Sequence, residues 1–74
     1  MTDREAKLHE LLKADVYWTA RAMREQGSHF FQKLGEALER ADAANRRKLY
    51  ETWTDETHDF LQRGRLLAER EGDT

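Results

Sequence analysis

The sequence predicts an all-α protein folded as a small bundle of three to four helices. Apolar residues recur at helical spacing along most of the chain, proline is absent, and short segments with Gly, Ser or Asp interrupt the periodic runs. With 74 residues the chain has room for one domain, and a domain of this size buries only about 60% of the surface that its unfolded chain exposes. We therefore expect a single helical domain over residues 1–74, whose small core is extended by self-association or by a partner.

The first predicted helix spans residues 3–26. Thr2 and Glu5 have the spacing of a capping box. In this motif the threonine side chain accepts a hydrogen bond from the amide three residues ahead, and the glutamate side chain reaches back to the amide of the threonine. Gly27 is expected to end this helix in a left-handed conformation, and Ser28 is expected to cap the next helix. Because only these two residues separate the two helices, the second should fold back on the first.

The second predicted helix covers residues 29–41. Its apolar residues follow the series i, i+1, i+4, i+7, i+8 and i+11, which forms one face of a helix. Continuing that phase beyond residue 41 would bury Asn45 and Lys48, so the helix is expected to end there. Asp42 is then the natural N-cap of a third helix.

The last part of the chain contains either two helices or one. The apolar stripe continues from residue 49 to residue 68 without a change of phase, which allows one long helix. However, β-branched threonines lower the helix propensity in its middle, and Thr54 is expected to be an N-cap, since the two acidic residues that follow it suit a helix N-terminus. We therefore predict a break at residues 53 and 54, with helices over 43–52 and 55–70 and a frayed tail over 71–74.

The predicted core draws on large apolar residues from every predicted helix. These residues are Leu8, Leu11, Leu12, Trp18, Met23, Phe30, Phe31, Leu34, Leu38, Leu49, Trp53, Phe60, Leu61 and Leu67. They are more than one minimal core obviously needs, which is a further reason to expect a second chain or a partner.

Asp15 lies in the middle of the apolar face of the first predicted helix. An unpaired carboxylate would be costly there, so Asp15 needs a partner or contact with water. Arg46 is the best-placed partner, since it shares a helix face with Leu49 and Trp53. We predict a structural ion pair between Asp15 and Arg46. The alternatives are an arginine of another molecule and a catalytic carboxylate, although no spacing indicates the second titratable group that catalysis needs.

Composition and charge exclude several classes of protein. The chain has 13 basic and 15 acidic residues and a formal net charge of −2, which argues against a surface that follows a phosphate backbone throughout. Without cysteine it has no disulfide or thiolate metal site, and His9, His29 and His58 are too scattered to form one. No apolar run approaches the roughly 20 residues of a membrane span, and the first residues are too polar for a secretory signal. We expect a cytoplasmic protein with no cofactor, no metal and no membrane contact.

Tyr17 and two arginines form the first candidate binding surface. Tyr17 projects from the first predicted helix opposite its apolar stripe, on the same side as Arg21 and Arg24. Tyrosine and arginine are enriched at the energetic centres of protein interfaces. We therefore predict an interaction surface here; the alternative is an ordinary exposed aromatic side chain.

Four cations form the second candidate surface, which we call the basic patch. It consists of Arg40, Arg46, Arg47 and Lys48. Clustered cations near the start of a short helix can meet phosphate groups. Acidic residues flank the cluster on both sides, so the alternative is a solvated face of mixed charge.

We expect a non-enzymatic interaction protein, an adaptor or inhibitor that presents a helical surface to a larger protein assembly, either as a homodimer or as a monomer. The chain is short for a substrate cleft, and its spacing indicates no catalytic grouping. In size and general character it resembles small inhibitors encoded by phages and other mobile elements, such as anti-CRISPR proteins, although no motif is shared. The alternative is a nucleic-acid-binding or transcription-regulatory protein that uses the basic patch.

Overall fold

The computed structural model describes residues 2–72, which fold into five α-helices. The helices are α1 (Asp3–Lys13), α2 (Val16–Gln26), α3 (His29–Arg40), α4 (Ala43–Thr52) and α5 (Thr54–Gly72). The all-α class is confirmed, but the number of helices exceeds the predicted three to four. The bounds predicted for the third helix, residues 43–52, are those of α4.

The prediction of one helix over residues 3–26 is wrong, because the chain bends at Ala14 and Asp15. Both residues have extended backbone angles, and Oδ1 of Asp15 accepts a hydrogen bond of 3.0 Å from the amide of Tyr17. Asp15 is therefore the N-cap of α2, a position where aspartate is among the most favoured residues. The bend leaves the carboxylate exposed, which avoids the cost of placing it in the middle of an apolar stripe.

The capping role of Asp15 predicts different effects for two substitutions. Asp15→Ala should lower the free energy of unfolding by about 0.5–2 kcal/mol, whereas Asp15→Asn should change it little, because asparagine caps helices as well as aspartate does. Urea unfolding followed by circular dichroism measures both values. If Asp15→Asn costs as much as Asp15→Ala, the negative charge matters and the capping role is not sufficient.

The predicted break at Trp53 and Thr54 is confirmed. Trp53 leaves the helical region with φ −121° and ψ 54°. α5 begins at Thr54, one residue earlier than predicted, so Thr54 is the first helical residue and not the expected N-cap. The hydroxyl of Thr54 donates to the carbonyl of Tyr50 at 2.7 Å, and the hydroxyl of Thr57 donates to the carbonyl of Trp53 at 2.6 Å. Thr54 thus donates to a carbonyl group in the last turn of α4, where a helix leaves such groups without a partner of its own. The carbonyl of Trp53 also accepts the amide of Thr57 at 2.9 Å, so Thr57 adds a second donor there.

Two other helix ends differ from the prediction. α3 ends at Arg40, one residue early, and α5 continues past residue 70 as far as Gly72. Of the tail that was expected to fray, residues 71 and 72 are helical. Residues 73 and 74 lie outside the described residues. Helix ends depend on local capping contacts, so shifts of one or two residues are ordinary.

Gly27 ends α2, but not in the predicted left-handed conformation. Its backbone is extended, with φ −83° and ψ 163°. Lack of space explains the glycine, since a Cβ atom would lie 2.5 Å from the carbonyl oxygen of Met23 and 2.8 Å from Cβ of Phe31. The short turn between α2 and α3 therefore has no room for a side chain at this position.

α2 is the central helix of the bundle and packs against both α3 and α5. α1 lies on α5 and touches α4. The buried hydrophobic residues are Leu11, Ala20, Ala22, Met23, Leu38, Tyr50, Phe60, Leu61 and Leu67. Two residues predicted for the core, Leu12 and Phe30, are exposed instead. Phe30 is thus covered only in part, by the rings of Phe31 and Trp53.

Candidate functional site

A groove with a volume of about 530 Å³ lies between α3 and α4, and we call it the α3/α4 groove. Its lining residues are Ala37, Arg40, Ala41, Asn45, Lys48, Leu49 and Thr52. Ala37, Ala41 and Leu49 supply apolar surface, and the hydroxyl of Thr52 is already bonded to the carbonyl of Lys48 at 2.7 Å. The groove therefore offers apolar contacts, with polar groups at its edges.

One face of each helix forms the walls of this groove. The end of α3 contributes residues 37, 40 and 41, and α4 contributes residues 45, 48, 49 and 52, spacings that place side chains on one side of a helix. At the turn between the helices, Asp42 caps α4 by accepting a hydrogen bond of 2.9 Å from the amide of Asn45. At the other end, the rings of Phe30 and Trp53 meet with their centroids 5.5 Å apart. The turn and the ring contact thus connect α3 and α4 at two places, although neither aromatic residue lines the groove.

The groove stays open because α3 and α4 are held by different neighbours. α3 packs on α2, whereas α4 touches α1 and α5. Leu38 and Tyr50, which are both buried, direct the opposite sides of these helices into the core. The sides with Ala37 and Leu49 face each other without closing, since neither helix packs mainly on the other.

Two cations line this groove without a carboxylate partner. Arg40 belongs to α3 and Lys48 to α4, and within residues 2–72 neither forms an ion pair. Other cations of the same helices are paired: Lys33 lies 3.6 Å from a carboxylate oxygen of α3, and Arg47 lies 2.7 Å from one of α4. The α3/α4 groove therefore has a positive edge, although the whole chain has a net charge of −2.

The structure divides the predicted basic patch. The guanidinium of Arg46 donates to the carbonyl of Ala41 at 3.1 Å, and its Nε atom is buried with no partner among the described residues. Arg47 is engaged in its ion pair and lines a second cavity, of about 400 Å³, together with residues of α1. Arg40 and Lys48 share the α3/α4 groove. The four cations therefore do not form one surface for a row of phosphate groups.

The predicted ion pair between Asp15 and Arg46 is wrong. Each side chain has another role, since Asp15 caps α2 and Arg46 bonds to the turn between α3 and α4. The prediction rested on a continuous first helix that would carry Asp15 into the core. Because the chain bends at this residue, the carboxylate is exposed and needs no buried partner.

The predicted surface of Tyr17, Arg21 and Arg24 lies on α2, and both arginines bind within the chain. Arg21 donates to a carboxylate oxygen of Glu71 at 2.6 Å, and this hydrogen bond, with a second one to Glu25, raises the pKa of Arg21. Arg24 lies 2.8 Å from a carboxylate oxygen on α3. Tyr17 remains 45% exposed. The arginines thus join α2 to α5 and α3, and a role for this surface in binding stays a prediction.

A polar cluster between α1 and α5 is a feature that sequence reasoning missed. The carboxylate of Glu10 lies 2.6 Å from Nε2 of His58 and accepts a hydrogen bond of 2.8 Å from the guanidinium of Arg65. These hydrogen bonds hold the pKa of Glu10 below its ordinary value, and the one with His58 has the larger effect. His58 and Arg65 are seven residues apart on α5 and so share one face, which is the only signal in the sequence. The cluster fastens α1 to the bundle.

Replacing Glu10 should weaken this attachment. Glu10→Gln is expected to lower the free energy of unfolding at pH 7 by about 0.5–1 kcal/mol, because the cluster is partly exposed and its charges are screened. The lowered pKa of Glu10 means that its contribution is complete above the ordinary value of 4.5 and is lost as the pH falls further. Urea unfolding at pH 7 and pH 3 should therefore show a larger difference from the parent protein at pH 7 than at pH 3. The exposed Glu69 is the control, and a Glu69→Gln variant with an equal loss would contradict a specific role for Glu10.

Within residues 2–72 no group of three His, Asp or Glu side chains is arranged to hold a metal ion. In the same range, no helix combines the length and the apolar character needed to cross a lipid bilayer. No protein-family model matches the chain, and no curated protein and no solved structure matches it either.

Proposed function

We propose that this protein is a non-enzymatic interaction module, an adaptor or inhibitor that binds a segment of a partner protein in the α3/α4 groove. One observation carries the proposal: two antiparallel helices hold apart a groove of about 530 Å³ that has apolar surface and stays open in the folded chain. Grooves between helices are a common way to bind a peptide segment. An adaptor or inhibitor of this kind needs no group that performs chemistry.

The groove is better suited to binding than the other two candidate surfaces. Arg21 and Arg24 would have to give up ion pairs within the chain before they could bind a partner. Nucleic-acid binding has less support, because Arg46 turns inward and Arg47 is paired, which breaks the row of cations that phosphate contacts would use. Ala37 and Leu49 face the groove without such competition.

Site-specific photocrosslinking in the cells that express the protein tests this proposal. A photoreactive amino acid at Thr52, which is exposed at the groove, should give a discrete adduct with another protein. The same group at Gln62, which is exposed on α5, is the matched control and should not give this adduct. Ala37→Arg, a change at an exposed position, should abolish the adduct and leave the thermal unfolding temperature unchanged within about 2 °C, as surface substitutions usually do.

Two results would contradict the proposal. The first is an adduct that forms equally from Thr52 and Gln62, since this would indicate unspecific contact. The second is an adduct that survives Ala37→Arg, because an arginine in the groove would block an inserted segment.

A further inference from the structure

We infer that the segment bound in the α3/α4 groove is an amphipathic α-helix whose apolar face is flanked by acidic residues. This inference rests on the proposed function and specifies the chemistry of the partner. Its basis is the combination of the groove walls, which are helical, with two unpaired cations at the groove, Arg40 and Lys48.

The groove walls favour a helical ligand over an extended one. An extended peptide binds either by main-chain hydrogen bonds to the edge of a sheet or, as a polyproline segment, in an aromatic-lined groove, and no aromatic residue of the described chain lines this groove. Both walls here are α-helices, whose backbone groups are bonded along the helix and offer no such edge. A ligand helix satisfies its own backbone and needs only side-chain contacts from the groove.

The length of the groove matches a short helix. The lining residues of α4 run from Asn45 to Thr52, a stretch that at 1.5 Å per residue covers about 12 Å, whereas the α3 side contributes only residues 37–41. A ligand of about two helical turns would therefore lie along the α4 wall with two apolar side chains pointing inward. Phe30, which is 53% exposed beside Trp53, extends the apolar surface at one end.

The charges of the groove select the residues that flank the apolar face of the ligand. Arg40 and Lys48 stand on different walls, so acidic residues on both sides of the ligand's apolar face would each meet one cation. The carboxylates nearest to these cations in the sequence are already engaged, since Glu39 and Glu51 are in ion pairs and Asp42 caps α4. The two cations are therefore available to a partner, and a basic ligand would be repelled.

A second copy of this chain fits the groove less well. Leu66 is 60% exposed and is the most exposed large hydrophobic residue of the described chain. Within one turn of Leu66 this face of α5 has one acidic residue, Glu69, and two cations, Arg63 and Arg70. Arg63 is paired with Asp59, and Arg70 forms no ion pair within residues 2–72. This face therefore does not offer an acidic residue on each side of its apolar residue, as a foreign acidic helix would.

A titration with three synthetic peptides tests the inference. The peptides are helical, have four turns and the same leucine face, and differ only in the flanking residues, which are glutamate, glutamine or lysine. Titration of the ¹⁵N-labelled protein at low salt, followed by two-dimensional NMR, reports both the affinity and the place of binding. The glutamate peptide should shift the amide signals of α3 and α4. It should bind at least about tenfold more tightly than the lysine peptide, because each exposed ion pair adds modestly to the affinity and the lysine peptide replaces attraction by repulsion.

Charge reversal at the groove supplies the matched control. The double variant Arg40→Glu, Lys48→Glu should lose or invert the preference for the glutamate peptide. The double variant Lys13→Glu, Arg70→Glu makes the same change in net charge at exposed positions that do not line the groove, and it should keep the preference. All four positions are exposed, so both variants should fold, which circular dichroism checks.

The outcomes separate this inference from the proposed function. If the glutamine peptide binds as tightly as the glutamate peptide, and Ala37→Arg abolishes both, the acidic partner is refuted while a protein-binding groove stands. If no peptide binds, the inference is overturned, and the crosslinking at Thr52 decides separately whether the groove binds a protein. Tighter binding of duplex DNA than of the glutamate peptide, or a dimer in sedimentation equilibrium that Ala37→Arg dissociates, would also overturn it.

Discussion

Gly64→Ala is expected to lower the free energy of unfolding by at least about 2 kcal/mol, although alanine is the better helix former. A Cβ atom at residue 64 would lie 2.4 Å from the carbonyl oxygen and 2.7 Å from the carbonyl carbon of Trp18. Both atoms belong to the backbone of α2, so no side-chain rotation can relieve the overlap. The gain in helix propensity is only about 1 kcal/mol. Because the overlap is with backbone atoms that cannot rotate away, overpacking should cost about 3 kcal/mol or more, the upper end of its usual range, which leaves a net loss of at least about 2 kcal/mol.

The effect of Gly64→Ala should be visible as a fall of roughly 10 °C or more in the thermal unfolding temperature, since about 4–8 °C corresponds to 1 kcal/mol in a domain of this size. Gly72→Ala is the matched control, because no atom of the described chain lies within 4 Å of the Cβ position at residue 72. It should leave the unfolding temperature unchanged or slightly raised. A Gly64→Ala variant as stable as the Gly72→Ala variant would mean that α2 and α5 do not approach as closely as described.

Leu38→Ala is the second substitution with a large expected effect. Leu38 is fully buried on the side of α3 that faces the core, and removing a buried leucine side chain typically costs about 2–5 kcal/mol. The same change at Leu66, which is 60% exposed on α5, should alter the free energy of unfolding by no more than about 0.5 kcal/mol. Urea unfolding of the two variants compares the same substitution at a buried position and at an exposed one.

Leu38→Ala also bears on the groove. Leu38 faces the core while the preceding residue, Ala37, faces the α3/α4 groove. The variant should therefore be less stable, while the residues that line the groove are unchanged. The apparent affinity for a peptide should fall only in proportion to the fraction of the protein that is unfolded. Equal losses of stability at positions 38 and 66 would mean that the inner and outer faces of α3 and α5 are assigned wrongly.

Several elements of the fold were predictable from short stretches of sequence. Thr2, Ser28 and Asp42 accept from the amides three residues ahead, as their capping patterns predict. The break at Trp53 was predictable from the threonine and the acidic residues that follow it. Each of these features depends on groups within one helical turn, so the residues that decide it are adjacent in the chain.

The bend at Asp15 was not predictable from periodicity. The apolar residues of α1 and α2 keep one helical phase across the bend, because the phase of a stripe does not report a change in the direction of the helix axis. Asp15 therefore looked like a charge in a core stripe when it is the cap of a new helix. Its residue type alone was a valid signal, since aspartate is a strong N-cap.

The α3/α4 groove could not be predicted, because the residues that line it have the spacing of core residues. Ala37 and Ala41 repeat along α3 in the same way as the buried residues beside them, and Leu49 does so along α4. Which of two adjacent apolar stripes is covered depends on the helices that happen to pack on it. α2 covers the stripe with Leu38, and nothing in the described chain covers the stripe with Ala37.

The sequence by itself determined that this chain is all-α, where most of its helices begin and end, and which residues cap them. These properties follow from hydrogen bonds and side-chain spacings that act over a few residues. Only the tertiary structure decided that Gly64 meets the backbone of Trp18, that Glu10 joins His58 and Arg65, and which cations share a groove. Contacts of this kind join residues that are tens of positions apart, and their partners are set by the packing directions of whole helices, which local patterns do not encode.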